Sequence, residues 1–371
     1  MGRFFDLINN SARDLGFFAS AIPSTPTPSS GDKKQLLKLN ANESPYGPSP
    51  KAVAAMRAAL EHSNWYPDDL SAELCQRLAA MHGVGSNQIL IANGTTSLLG
   101  VMARTLFGPE RNAVTSACSF ISYPMVTRAA GGTLIETPLK GNGYDLDAIR
   151  ASINDKTRLV LIANPNNPTG SFLNAAQINS FLENLPAHVI VVLDEAYYDY
   201  ASYFAAQRST EYSRSLNYVR EDRNLVVLRT FSKAHGLAGV RVGYGIGPAE
   251  LMAYFARVQD TFAVSALAQA AALAALDDEA HVRYAVEKNA EQAAWLTKEI
   301  TKLGYKVPET WANFLFIDVT QDAREFARKL RREGVLIRPL GAWGAPQAVR
   351  ITIGTAEQNQ IFLEGLRKVS S

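Results

Sequence analysis

"RLVLIANPNNPTG", residues 158–170, is the stretch on which the fold turns. It carries an unbroken apolar run, Leu159 to Ala163, and then a cluster of Asn, Pro and Gly. A strand with one solvated face alternates polar and apolar residues. A run that is apolar on both faces belongs instead to a parallel sheet covered by helices on both sides. "VIVVL" (189–193) and "LVVL" (225–228) repeat the pattern, with helical spacing between the runs. The chain therefore predicts an α/β large domain with a mostly parallel central sheet, from about 66 to 264.

Outside that span the texture differs. Residues 1–34 end in the Pro/Ser-rich "PSTPTPSSGDKK" and read as an N-terminal arm. "KAVAAMRAALEHS" (51–63) has helical spacing. After 264, "SALAQAAALAAL" and "VEKNAEQAAWLTKEITKLG" read as long helices. "FLFIDV", "GVLIRPL" and "AVRITIG" read as a small sheet with one helix between. Segments 35–65 and 265–371 are thus expected to form a smaller α+β domain.

Composition narrows the function. Of 371 residues 47% are hydrophobic and 19% charged, as in an ordinary globular protein, and the net charge of +2 gives no electrostatic case for nucleic acid. No apolar run is long enough for a bilayer, and Asp6, Arg13 and Asp14 interrupt the N-terminal apolar stretch. Cys75 and Cys118 form no CxxC, and the five histidines have no ligand spacing, so no metal and a reducing cytoplasm are expected.

The chemistry follows the strands. "NPNNPTG" comes after the first run, "DEAYYDY" after the second and "RTFSK" after the third. Ligands of parallel sheets sit beyond the carboxyl ends of the strands, so Asn167, Asp194, Tyr197 and Lys233 are expected to converge. Singly, Asp194 is an ordinary helix N-cap, "NPNNPTG" a plain turn and Lys233 a solvated charge. Together, an amide, a carboxylate, a phenol and an amine suit pyridoxal 5'-phosphate. The lysine would hold its aldehyde, the carboxylate its ring nitrogen, and the amide and phenol its phenolic oxygen. Its phosphate would find amides and hydroxyls in "NGTTS" (93–97), at the start of a helical pattern, with Ser232 and Arg241 beside them. "CSFISYP" offers an aromatic ring to stack on it.

On "NPNNPTG", "DEAYYDY", "SKAHGLAGVRVGY" and "VRITIGT", the sequence resembles the fold-type I PLP-dependent aminotransferases, and among them the histidinol-phosphate aminotransferase group. The resemblance runs from "LNANESPYGPSP" to "RITIGT", nearly the whole chain past the arm. It implies an aspartate aminotransferase-like fold, with Lys233 as Schiff-base lysine and proton shuttle. Asp194 would pair with the ring nitrogen, Asn167 and Tyr197 would bind the phenolic oxygen, and Phe120 would stack on the ring in preference to Tyr123. Gly94, Thr95, Thr96, Thr230, Ser232 and Arg241 would surround the phosphate. Tyr66 would reach the phosphate of a neighbouring subunit, implying a homodimer. Arg350, helped by Arg338, would bind the anionic end of the substrate, with Asn42 and Tyr46 at the entrance.

The reaction so implied moves an amino group from histidinol phosphate to a 2-oxo acid such as 2-oxoglutarate, in ping-pong fashion, as in histidine biosynthesis. Three alternatives stay open: an aminotransferase for aromatic or other amino acids, a decarboxylase of a phosphorylated amino acid, and a PLP-binding sensor domain. The departures from the family pattern bear on that choice. "NGTTS" lacks the acidic pair common after its glycine, Ala263 stands where an asparagine is frequent, and Trp343 where a tyrosine is frequent.

Overall fold

The strand Thr157–Ala163 sends Val160 and Ile162 into one buried layer and Leu159, Leu161 and Ala163 into another. Its neighbours Ile190–Asp194 and Leu225–Thr230 do likewise. Val191, Leu193, Leu225 and Val227 lie on the first side, and Val192, Val226 and Leu228 on the second. The unbroken apolar runs thus have the predicted cause, a core on each face of one sheet.

The computed structural model describes residues 8, 10–13, 15 and 36–370. The expected arm, 1–34, lies outside the described residues except for 8, 10–13 and 15; Asn10–Arg13 makes one helical turn. Seven strands form the large sheet in the spatial order Ile89–Ala92, Gly243–Ile246, Leu225–Thr230, Ile190–Asp194, Thr157–Ala163, Asn112–Ser116, Thr133–Thr137. Gly243–Ile246 runs antiparallel to both neighbours, and every other pair is parallel. The fold is therefore α/β with a mostly parallel sheet. The three central strands end at the same edge, which brings the residues after them together.

A second core lies beside the first. The helix Glu279–Lys302 buries Val286, Ala293, Leu296 and Ile300 against Phe314, Phe326, Val349, Ile351 and Phe362. These belong to an antiparallel sheet of Phe314–Asp318, Ala348–Thr352 and Arg338–Pro339 and to the helices Ala323–Arg332 and Ala356–Ser370. The closing helix was not anticipated from the sequence.

Two helices from the segments 35–65 and 265–371 pack on the large sheet. Helices Pro50–Ala59 and Ala266–Leu276, both expected in the smaller domain, bury Ala52, Ala268, Ala271, Ala272 and Ala275 in the core of the large sheet. Alanine faces let two helices approach closely, and here the two pack chiefly on each other and then on the helix Ala72–His82. "GVLIRPL" also departs from a single strand. Val335–Leu336 pairs with Leu37–Lys38, and the chain then changes partner, so that Arg338 lies opposite Arg350. Among the described residues no helix is long and apolar enough to cross a membrane.

Candidate active site

A cavity of about 310 Å³ opens at the carboxyl edge of the large sheet. It is lined by Gly94, Thr95, Thr96, Phe120, Asn167, Asp194, Tyr197, Thr230, Ser232, Lys233 and Arg241, with Asn42, Arg338 and Arg350 from the other side. Tyr46 and Tyr66, also named from sequence, do not line it. Tyr46 packs edge-on to Tyr284, because the loop after Asn42 carries it toward the helix Glu279–Lys302. Tyr66 is 81% exposed and stacks on Phe262 at 4.4 Å.

Asp194 closes its strand and is buried. Tyr123 donates to its Oδ2 at 3.4 Å, while Oδ1 has no partner. Burial pushes the carboxyl up to about 7, against hydrogen bonds from the Ala196 amide and Tyr123 and the charge of Lys233. An acid held this way awaits a buried cation or N–H donor. Lys233 is displaced in the opposite direction. Burial, with the positive charges of Arg350 and Arg241, lowers its amine to about 8. The backbone at this point is pinned by Gly236 (φ +71), where an added Cβ would stand 2.0 Å from the Gly47 carbonyl.

The polar groups between them are turned so that donors remain. Asn42 Nδ2 donates to the Tyr197 hydroxyl oxygen at 2.8 Å, which leaves the Tyr197 O–H to donate. Arg350 Nη1 donates to Asn167 Oδ1, leaving the Asn167 NH2 group to donate. Both therefore suit an anionic oxygen. Asn42 is itself fixed by Thr352, whose Oγ accepts from the Asn42 amide at 2.9 Å, and by Asn313 Nδ2 on its carbonyl at 3.1 Å. The loop thereby ties the second sheet to Tyr197.

At the far end the helix Thr95–Leu106 begins on Gly94 (φ +86) with no side-chain cap, so its first amides are left for a ligand. Arg241 lies against that glycine, where a Cβ would come within 2.6 Å of Nη2, and its Nη1 is 3.5 Å from Ser232 Oγ. Free amides, the hydroxyls of Thr95, Thr96 and Ser232, and a guanidinium form an anion cup. The missing acidic pair therefore leaves the cup intact. These residues fit pyridoxal phosphate at both ends: the orphaned Asp194 oxygen suits its ring N–H, and the cup suits its phosphate.

On the opposite wall, Arg350 and Arg338 are both buried. Arg350 Nη2 and Arg338 Nε donate to the same Asn40 carbonyl, each at 3.1 Å. Arg350 Nε and Arg338 Nη1 have no partner, and among the described residues neither side chain forms a salt bridge. Burial and then the charge of Arg338 lower the Arg350 guanidinium to about 10. Two adjacent buried cations with free N–H groups make a site for a multiply charged anion.

Fold and site together define a PLP-dependent transaminase. The family model for class I and II aminotransferases matches residues 34–366, and the chain belongs to that family. It is 42% identical to the histidinol-phosphate aminotransferase of Moorella thermoacetica over 91% of this chain and 86% of that protein. It is 36% identical to histidinol-phosphate aminotransferase 1 of Idiomarina loihiensis over 98% of each. The crystal structure of histidinol-phosphate aminotransferase from Sinorhizobium meliloti, in complex with pyridoxal-5'-phosphate, superposes with a TM-score of 0.83 at 28% identity, covering 91% of both chains.

Sequence reasoning missed two functional groups. Tyr123 was weighed only as a second-choice stacking ring, whereas it holds Asp194 and meets Phe120 edge-on at 5.6 Å. The Asn40 carbonyl is a backbone group and carries no residue-type signal.

Proposed function

We propose that this chain transfers the amino group of histidinol phosphate to 2-oxoglutarate, in the cytoplasm and as a homodimer. The observation that carries the donor is the Arg338–Arg350 pair, two buried guanidiniums that form no salt bridge among the described residues. A phosphate monoester satisfies such a pair, and so does a carboxylate of a 2-oxo acid, because a planar guanidinium grips either anion. The relatives named above point to the same donor. Since both substrates would use one cavity in turn, the kinetics should be ping-pong.

Bound in the cup, pyridoxal phosphate supplies an aldehyde carbon that accepts the amino group and a ring that draws off the charge left by the departing α-proton. The side chains around it have distinct tasks. Lys233 offers an amine that becomes neutral as pH rises through about 8, able to take the α-proton and to return it. Asp194 would hold the ring proton with its free Oδ1. Asn167 and Tyr197 would donate to the phenolic oxygen, and Phe120 would cover one face of the ring.

Tyr66 would serve the partner's phosphate. Its exposure, beside exposed Trp65, Leu70 and Phe262, leaves an apolar surface that a second copy would cover. Mixing Tyr66→Phe with Lys233→Ala chains should give hybrids more active than either parent, since one site per hybrid is intact. Hybrids no better than the parents would remove the shared site.

The direct test is kcat/KM of the purified holoenzyme with 2-oxoglutarate and either histidinol phosphate or phenylalanine. Histidinol phosphate should be preferred by roughly 100-fold or more, because its phosphate brings two charges to the two guanidiniums whereas phenylalanine brings a single carboxylate. A preference for phenylalanine would overturn this reading in favour of an aromatic donor.

A further inference from the structure

Arg338, Trp343 and Arg350 all lie on one hairpin, and all three line the catalytic cavity. Trp343 ends the short helical turn Gly341–Trp343 between the two arginine-bearing strands. Its ring is clamped in an apolar cluster with Leu340, Ala348, Cys118, Ile121 and Phe316. It also borders a neighbouring cavity of about 320 Å³, so it stands as part of the wall between the two. Packing explains the ring. It does not explain the indole N–H, which is buried without an acceptor. Buried donors left unpaired are rare and costly, and in a binding cavity the usual remedy is an acceptor on the ligand. Arg338 Nη1 and Arg350 Nε are unpartnered in the same way.

We propose that Trp343 is a specificity-determining residue whose indole N–H donates to the phosphate of the amino donor, as the third member of a grip formed with Arg338 and Arg350. This rests on the reading of the donor as histidinol phosphate. A tryptophan suits the position because it gives a donor without an acceptor. A tyrosine hydroxyl there would also accept, whereas the N–H presents only a hydrogen to the anion.

The test removes the hydrogen-bonding group from each side in turn. Dissociation constants of histidinol phosphate and of histidinol are measured by calorimetry on the pyridoxamine form, where no turnover occurs, for the wild type and Trp343→Phe. Melting temperatures check that the packing survives. The wild type should bind histidinol phosphate far more tightly than histidinol. Trp343→Phe should weaken histidinol phosphate by roughly tenfold and leave histidinol unchanged. Equal weakening of both would assign Trp343 to positioning the hairpin and overturn the phosphate contact. No change in either would make it a wall only. A wild type that does not distinguish the two ligands would bring down the donor assignment itself.

Discussion

Two kinds of buried arginine lie within this one chain, and their surroundings differ in sign. Arg229, at the end of the strand Leu225–Thr230, donates from Nε and Nη2 to Glu195 Oε2 at 3.1 and 2.9 Å, and its guanidinium lies 3.4 Å above the Tyr198 ring. Burial opposes its charge, and the Glu195 carboxylate more than restores it. Arg350 and Arg338, equally buried, share one carbonyl and meet no acid among the described residues. A buried charge with its counter-charge already present is part of the scaffold. A buried charge without one is complete only when a ligand arrives.

Lys233 feels the second environment, since Arg350 helps lower its amine, and its loss should have the largest effect. Lys233→Ala removes both the covalent anchor and the proton carrier, so turnover should fall at least about 10⁴-fold. The melting temperature of the cofactor-free protein should hardly move, since the amine is already disfavoured by Arg350 and Arg241. Residual turnover within a hundredfold of wild type would place the chemistry elsewhere.

The arginines should then part company. Arg229→Met strands Glu195 in the core, at a cost of about 3–5 kcal/mol in stability measured by denaturant unfolding. Arg350→Met relieves a cationic cluster. It should leave stability unchanged or improved, and lower kcat/KM for histidinol phosphate by roughly 100-fold through a rise in KM. If both variants lost stability alike, the distinction between scaffold and site would collapse.

Only part of this contrast was legible in the sequence. Asn167, Asp194 and Lys233 could be read because each follows an apolar run, and parallel strands bring their carboxyl ends together. The pairing of Glu195 with Arg229 could not. It depends on the register that sets Asp194 opposite Leu228, so that the next residue on each strand meets its neighbour. Nor could the isolation of Arg350 be seen, because it is a statement about what does not lie nearby. Which core the alanine-rich helices join was hidden for a related reason. Their thin faces fit either sheet, and composition does not choose between partners.

The same electrostatics should be visible in pH dependence. Lys233 has its amine lowered to about 8, so the neutral form that attacks an aldehyde grows as pH rises through that value. Asp194, raised to about 7, becomes anionic over a slightly lower range. The rate at which cofactor-free protein captures pyridoxal phosphate, followed by stopped-flow absorbance, should therefore climb from about pH 6 to 9. In Arg350→Met the upper midpoint should move upward, because a positive neighbour of Lys233 is gone. An unmoved midpoint would mean that burial and Arg241, not Arg350, set the amine.

Tyr123→Phe should produce the smallest change, and it bears on the acid at the opposite end of the cofactor site. The Tyr123 hydroxyl donates to Asp194 Oδ2 and so favours the anion, while burial disfavours it. Phenylalanine keeps the ring that meets Phe120 edge-on and removes only the donor. A hydrogen bond of about 1 kcal/mol corresponds to a rise of somewhat under one pH unit in the lower midpoint of cofactor capture. The upper midpoint, set by Lys233, should stay where it is. A shift in both would mean that the substitution had loosened the strand ends together. A shift in the lower one alone would assign Tyr123 the task of keeping Asp194 ionised, with Oδ1 free for the cofactor ring.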